Sequence, residues 1–282
     1  MDRYFVTGNP VEHSKSPFIH AEFARQTGQV MRYGRVLCPL DAFEATLRAQ
    51  AADTRDGPFR GCNVTVPFKF EAFRLATRHT ARARRAEAVN VLSFDPAEGW
   101  SGDNSDGIGL VRDIERNARV PLAGRRVLLI GAGGAAAGVL GPLLEARPAA
   151  LVVANRTLDK ARALVERHAD LAGDTRLTAA PPEDCGEAYD VVVNATASSL
   201  QGAAIPVSHR VLAPGALALD MMYGAPAQGF LDWAAAHGAT GRDGLGMLVE
   251  QAAEAFAHWR GVVPQTAPVL AALRRLIAEP PR

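Results

Sequence analysis

Short apolar runs alternate with amphipathic stretches along the chain. RYFVTG (3–8) reads as a strand. SPFIHAEFARQTG (16–28) reads as a helix, with Ser16 as N-cap, Pro17 at the first helical position and Gly28 as the stop. MRYGRVLC (31–38) is a second strand, and DAFEATLRAQAA (41–52), capped by Asp41, a second helix. GCNVTVP (61–67) is a third strand. One or two helices follow, then AVNVLSF (88–94) and a turn through DPAEGW. Strand alternating with helix predicts an α/β layer with a mostly parallel sheet.

The pattern then restarts. GDNSDGIGLVRDIERN (102–117) begins a helix near Asp106, and PLAGRR (121–126) is a turn. RRVLLIGAGGAAAGVLGPLLEA opens a new βα unit, so a domain boundary is expected between about 105 and 122. The strands that follow are ALVVANR (150–156), RLTAA (176–180), DVVVNAT (190–196) and ALALDM (216–221), mostly separated by helices. That is the pattern of a doubly wound sheet. GMLVEQAAEAFAHWRG (246–261) and a helix from Pro264 to about Leu276 close the chain.

Bulk composition narrows the class. The chain has 282 residues, 48% hydrophobic and 22% charged, with a net charge of +1. That suits a soluble globular protein and argues against nucleic-acid binding, which needs a concentrated basic face. The densest cluster, RARRA (82–86), reads as a solvated helix face. Cys38, Cys62 and Cys185 form neither a disulfide framework nor a metal-binding spacing, so a reduced, cytoplasmic setting is expected and no metal. MDRYFVTGNP has no signal-peptide pattern, and no apolar run reaches the roughly 18 residues of a membrane span.

VLLIGAGGAAAG (127–138) carries Gly131, Gly133 and Ala136 in GxGxxA spacing, after an apolar strand and at the start of a helix. Gly131 permits the tight turn, Gly133 lets backbone approach a pyrophosphate, and Ala136 keeps helix and sheet close. The bland alternative is a glycine-rich turn without a ligand. An NAD site usually places Asp or Glu at the end of the next strand. Here that end reads Asn155-Arg156-Thr157, with Lys160 one turn on. Arg156 would pair with a phosphate and stack on adenine, which favours NADP over NAD. Thr157 reads either as a helix cap or as a second phosphate ligand.

The first half holds four polar clusters at strand ends or turns: His13–Ser16, Asn63-Val64-Thr65 with Lys69, Asn90, and Asp103–Asp106. Neutral amides and hydroxyls suit a polyhydroxylated substrate. Taken locally, Ser14 and Ser16 read as turn and cap residues, Asn90 as a turn residue, and Asp106 first as the cap of its own helix. Of 31 Lys and Arg only Lys15, Lys69 and Lys160 are lysine. Hydride transfer to a ketone needs a proton for the developing alkoxide. A lysine paired with a carboxylate such as Asp106 can supply it, whereas arginine does not deprotonate. No YxxxK, HExxH, Ser-His-Asp or kinase motif competes with this reading.

These motifs resemble those of the shikimate dehydrogenase family along essentially the whole chain. The substrate signature is GNPVEHSKSPFIH (8–20), GCNVTVPFK (61–69), AVN (88–90) and GDNSDGIG (102–109). The cofactor signature is GAGGAA (131–136) and NRT (155–157), and the tail match is DMMYGAP (220–226) and GLGMLVEQAAEAF (244–256). The resemblance implies NADPH-dependent, reversible reduction of 3-dehydroshikimate to shikimate, a step toward chorismate and the aromatic amino acids. It implies a two-domain α/β protein. Residues 1–105, completed by helices at about 246–282, would bind substrate, and residues 106–245 would form a Rossmann-like NADP domain.

Carried over residue by residue, Ser14 and Ser16 would hold the substrate carboxylate at the positive end of a helix. Thr65, Asn90, Asp106 and Gln251 would bind ring hydroxyls or the carbonyl, and Lys69 and Asp106 would be the catalytic pair. Tyr223 would contact substrate from the cofactor domain. Gly131, Ala132, Gly133, Gly134, Ala135, Asn155, Arg156, Thr157, Lys160 and Thr196 would line the NADP site. Met221, Gly244 and Met247 would complete it. Met247 and Gln251 lie four apart on one helix face, although Met247 also reads as plain core. The partner is thus a small molecule, with no nucleic acid and no membrane, and the protein a monomer or homodimer. Val91 and Ser105 stand where the family more often has Thr, and NATASSL (194–200) departs from its frequent NATSxG. The competing readings are an NAD-dependent quinate/shikimate dehydrogenase and a non-catalytic shikimate sensor.

Overall fold

The computed structural model describes residues 1–196 and 205–278. They form two compact units, Met1–Gly109 with Leu248–Arg282, and Leu110–Met247. Helices α5 (Asp106–Arg112) and α9 (Leu245–Arg260) carry the chain from one unit to the other.

The first unit is built on a six-stranded sheet. Its strands are β1 (Asp2–Gly8), β2 (Met31–Leu37), β3 (Phe59–Val64), β4 (Arg78–His79), β5 (Val91–Asp95) and β6 (Gly99–Asp103), in the order β2-β1-β3-β5-β6-β4. β1 pairs in parallel with β2 and β3, while β5 runs antiparallel to both β3 and β6. The β5–β6 hairpin is the departure from strict strand–helix alternation. Its turn residues Asp95–Glu98 are legible, but glycine-rich β6 has no apolar run to announce it. Phe43, Leu47 and Phe68 from α2 (Phe43–Ala52) and the loop before α3 (Lys69–Leu75) pack on Phe5, Phe59 and Trp100. The Phe43–Phe68 and Phe5–Phe59 ring pairs stack at 5.0 and 4.9 Å.

Two cap expectations are corrected. α1 runs Ser16–Thr27, with Lys15 at the N-cap position, because Ser14 Oγ rather than Ser16 Oγ accepts from a first-turn N–H, that of Ser16 at 3.3 Å. α2 begins at Phe43 with no side-chain cap, because the Ala42 N–H closes a turn onto the Pro39 carbonyl and leaves Asp41 outside the helix. Gly28 ends α1 in the left-handed region, as the sequence predicts.

The face lined by α1 and α9 encloses His20 among Tyr33, Phe23, Phe256 and Trp259; the His20 and Tyr33 rings stack at 4.1 Å. Burial pushes the His20 imidazole down to about 3, with Asn63 opposing weakly. The unfolded chain, near 6.5, then binds the proton over the interval between these values and the folded chain does not. Stability is therefore complete above the unfolded value and falls as the pH drops toward 3. The expected slope from this one residue is about 1.4 kcal/mol per pH unit. Denaturant unfolding at a series of pH values should show a shallower acid decline for His20→Phe, whatever the substitution costs at neutral pH. Equal slopes would refute the assignment.

The second unit holds an all-parallel sheet. Its strands are β7 (Arg126–Ile130), β8 (Ala150–Ala154), β9 (Arg176–Ala180), β10 (Tyr189–Asn194), β11 (Leu212–Asp220) and β12 (Thr240–Arg242). Their spatial order is β12-β11-β10-β7-β8-β9. Read from the other edge and renumbered within the unit, this is the order 3-2-1-4-5-6 of doubly wound dinucleotide-binding folds. The helices are α6 (Gly134–Glu145), α7 (Leu158–His168) and α8 (Ala225–Ala236). VLLI, LVVA and VVV are buried without interruption because helices cover both faces of a parallel sheet. β12 is too short and polar to be legible in the sequence. α10 (Thr266–Ala278) closes the chain, and among the described residues no helix is long and apolar enough to cross a membrane.

Candidate active site

Strand register gathers the polar clusters of the first unit at one end of its sheet. Thr7 lies opposite Val64, Asn63 opposite Val91, and Val91 opposite Asp103. The ends of β1, β3 and β6 and the start of β5 therefore share one edge of the layer. Gly8 is what lets Thr65 reach that edge: a Cβ there would lie 2.3 Å from the Thr65 methyl.

A continuous hydrogen-bonded ladder runs across this edge. Lys69 Nζ, on the first residue of α3, lies 2.5 Å from Asp106 Oδ2. The two side chains keep only 14% and 7% of their exposure. Asp106 Oδ1 accepts from Asn90 Nδ2 at 2.8 Å, and the same amide donates to Gln251 Oε1 at 3.2 Å. The orientation of the Asn90 amide follows from chemistry. The Ser105 backbone N–H can only donate, so the Asn90 atom 2.8 Å from it is the oxygen. The NH₂ end must then face Asp106 and Gln251. Ser105 Oγ completes the ladder, 3.1 Å from Asn90 Nδ2 and 3.2 Å from Gln251 Oε1. Gln251 Nε2 is anchored on the Leu248 carbonyl at 3.0 Å.

Asp106 is not the cap of its helix. It is the first residue of α5, its own N–H is taken by Asn104 Oδ1 at 3.1 Å, and its two carboxylate oxygens face Lys69 and Asn90. A lysine held on a carboxylate whose second oxygen is fixed can pass a proton without either group turning.

Beside the ladder, Ser14 Oγ donates to Ser16 Oγ at 3.2 Å, and Arg35 holds the Ser14 carbonyl. Tyr33 and Asn63 join the site beyond the residues assigned from sequence. The Tyr33 hydroxyl donates to Asn63 Oδ1 at 2.6 Å, and Asn63 Nδ2 donates to the Asn90 carbonyl at 3.3 Å. Burial, first among several causes, raises the Tyr33 phenol well above its usual value, so it stays a neutral donor. Ser105, noted in the sequence only within its polar cluster and as a replacement for Thr, is buried at the centre of the ladder. Nothing local marks Tyr33, and Asn63 and Ser105 are marked only as members of polar clusters; their specific partners become legible once strand pairing sets them around Asn90.

In the second unit, the strand order changes direction between β7 and β10, where dinucleotides bind in such folds. Gly131 follows β7 at φ 113°, and a Cβ there would sit 3.2 Å from the Ala195 carbonyl and the Thr196 methyl. Thr196 is fixed by donating its N–H and hydroxyl to Asn194 Oδ1. Gly133 is the N-cap of α6 without a side-chain cap, and a Cβ there would meet nothing within 4 Å. Ala132, Gly134 and Ala135 flank it as the helix begins. Arg156, Thr157 and Lys160 are exposed where β8 passes into α7, and among the described residues no carboxylate pairs with Arg156. Thr157 occupies the N-cap position but its side chain makes no cap bond, while Asn155 Nδ2 donates to its carbonyl at 2.8 Å. An open glycine cradle beneath a helix start, with an arginine past the next strand that no carboxylate engages among the described residues, fits a dinucleotide carrying a 2′-phosphate.

Met221 and Tyr223 follow β11, and Gly244 donates its N–H to the Met222 carbonyl at 2.8 Å. Met247 is buried on α9, four residues before Gln251. Residues 197–200 of the NATASSL loop lie outside the described residues.

Three family profiles match consecutive parts of the chain. They are described as shikimate dehydrogenase substrate binding domain over residues 6–92, shikimate / quinate 5-dehydrogenase over 114–203, and shikimate 5'-dehydrogenase C-terminal domain over 244–274. The chain belongs to the shikimate dehydrogenase family. A curated shikimate dehydrogenase (NADP(+)) of Methylibium petroleiphilum is 66% identical over 280 residues, 98% of this chain and 95% of the relative. Among solved structures, an Ael1 enzyme from Pseudomonas putida superposes with a TM-score of 0.86 at 45% identity, covering 99% of both chains. Shikimate 5-dehydrogenase of Thermus thermophilus, solved in complex with NADP(H) and shikimate, gives 0.82 at 31% identity, covering 98% of this chain and 99% of that one. The shikimate dehydrogenase profiles take in Lys69, Asn90 and Gln251, while Ser105 and Asp106 fall in the gap between two of them.

Proposed function

We propose that this chain catalyses the reversible, NADP-dependent reduction of 3-dehydroshikimate to shikimate. The observation that carries the reading is the Lys69–Asp106 pair at 2.5 Å, enclosed by Asn90, Ser105 and Gln251, in a family of shikimate dehydrogenases. Bound NADPH supplies the hydride. Lys69 Nζ donates the proton to the oxygen that gains charge. Asp106 Oδ2 holds the ammonium in line, and Asn90 keeps the carboxylate from rotating. Asn90, Gln251 and Thr65 offer amide and hydroxyl groups to the ring hydroxyls, and Ser14 and Ser16 receive the carboxylate. Tyr223 is a further candidate substrate ligand.

The first unit is the substrate domain and the second the NADP domain. There Gly131–Ala135 would cradle the pyrophosphate, and Asn155, Arg156, Thr157 and Lys160 would hold the adenosine end. Met221 and Met247 would lie near the nicotinamide, and Thr196 and Gly244 would complete the cofactor site. The three buried, unbridged cysteines support a reducing, cytoplasmic setting.

A spectrophotometric assay of shikimate with NADP, run beside quinate and NAD, tests this. The expected outcome is highest kcat/KM for the shikimate–NADP pair. Preference for quinate with NAD would favour a catabolic dehydrogenase, and shikimate binding without turnover a sensor.

A further inference from the structure

The arginine cluster RARRA reads in sequence as a solvated helix face, and for Arg84 it is one. Arg82 departs from it. It sits on α4 (Ala81–Ala86) with its side chain only 28% exposed and its guanidinium turned inward. Nε lies 2.7 Å from Asp103 Oδ1, a second nitrogen bonds Asp103 Oδ2, and the third reaches Glu254 Oε1 at 3.0 Å. Asp103 is fully buried at the end of β6. It also accepts from Thr80 Oγ1 at 2.6 Å and from the Asn104 N–H at 2.8 Å, with His258 Nδ1 4.0 Å away. Burial raises the Asp103 carboxyl; the bonds and charge of Arg82 outweigh this and hold it below its usual value.

These contacts join the two pieces of chain that make the ladder. Asp103 opens the turn that presents Asn104, Ser105 and Asp106. Glu254 stands on α9 one turn beyond Gln251. One planar fork thus spans the turn and the helix at a fixed separation, the separation over which Ser105 Oγ and Asn90 Nδ2 must both reach Gln251 Oε1. We propose that Arg82 is a positioning residue for the shikimate site, tying the Asp103–Asp106 turn to the Gln251 helix so that Asp106 and Gln251 meet the substrate in register. The inference rests on the functional reading above. Lysine could keep the charge at this position but not the two-sided fork.

The test is calorimetric binding of shikimate and of NADP to the full chain, with steady-state kinetics alongside. Arg82→Met should weaken shikimate binding and raise its KM by roughly tenfold, the penalty of a sub-ångström displacement in a preorganised site. NADP affinity should stay within about twofold, since the cofactor residues other than Met247 stand on other elements and Met247 lies near the start of α9, about two turns before Glu254. Arg82→Lys should recover only part of the loss. A general loss of structure would instead lower both affinities and the melting temperature together. Because Arg82→Met strands a buried carboxylate, Glu254→Ala serves as the second variant. It leaves the Asp103 pair intact, removes the acceptor through which Arg82 reaches α9, and should weaken shikimate binding about threefold. Folded Arg82→Met with unchanged shikimate affinity overturns the inference. If that variant does not fold, Glu254→Ala with unchanged shikimate affinity and KM does so. Failure of the unaltered protein to bind shikimate would overturn the functional reading instead.

Discussion

Lys69→Arg is expected to lower kcat on the order of a thousandfold, within the range that a positioned general acid contributes. Shikimate affinity should fall only a few-fold. The asymmetry follows from the site. Lys69 lies 2.5 Å from Asp106 Oδ2 and is largely enclosed. A guanidinium there keeps the positive charge and can still pair with the carboxylate. It does not release a proton at any accessible pH, so the alkoxide would have to take one from water or from a more distant group. Binding that depends on Asn90, Ser105 and Gln251 persists, because their bonds to one another do not involve Lys69. Single-turnover kinetics beside equilibrium binding separates the two effects. Turnover near that of the unaltered protein would remove Lys69 from the proton path. A parallel loss of binding and turnover would make it a substrate ligand and no more.

The contrast between what the sequence makes legible and what it does not has a physical origin. Apolar runs and glycine punctuation are local, so Gly28 as a helix stop, the GAGGAA turn and the apolar strands of the second unit can be read directly. Side-chain partners are set by register, which is not local. Ser16 and Asp41 look like caps because they are the right residue type near a helix start. The folded chain puts Lys15 at the first cap position, with Ser14 Oγ bonding the Ser16 N–H, and leaves Asp41 outside its helix. Asp106 looks like a cap for the same reason, and only the β5–β6 hairpin brings it onto Asn90 and Lys69. That hairpin is itself obscure, since GWSGD has no apolar alternation. Arg82 is hidden differently. It is the same residue type as its exposed neighbour Arg84 and is distinguished only by the buried carboxylate it faces.

The second large effect is expected in the other unit. Arg156→Ala should raise the KM for NADP roughly ten- to a hundredfold, the worth of a charge-assisted hydrogen bond or two, while leaving the KM for NAD nearly unchanged. The reason lies in the position. β8 ends at Ala154, and the chain then turns through Asn155 into α7, which begins at Leu158. This is where doubly wound folds meet the adenosine ribose, and where an acidic residue would accept the 2′-hydroxyl of NAD. An arginine there, exposed and without a carboxylate partner among the described residues, offers its fork to a phosphate instead. Lys160, one turn along α7, adds charge but no planar recognition, so Lys160→Ala should cost less. Removing Arg156 takes away a phosphate contact that NAD never makes, so if that contact dominates the two cofactors separate in KM rather than fall together. The measurement is kcat/KM for both cofactors at saturating shikimate. An equal loss with NADP and NAD would mean that Arg156 supports the fold of the loop or stacks on the shared adenine, and that the NADP preference arises elsewhere.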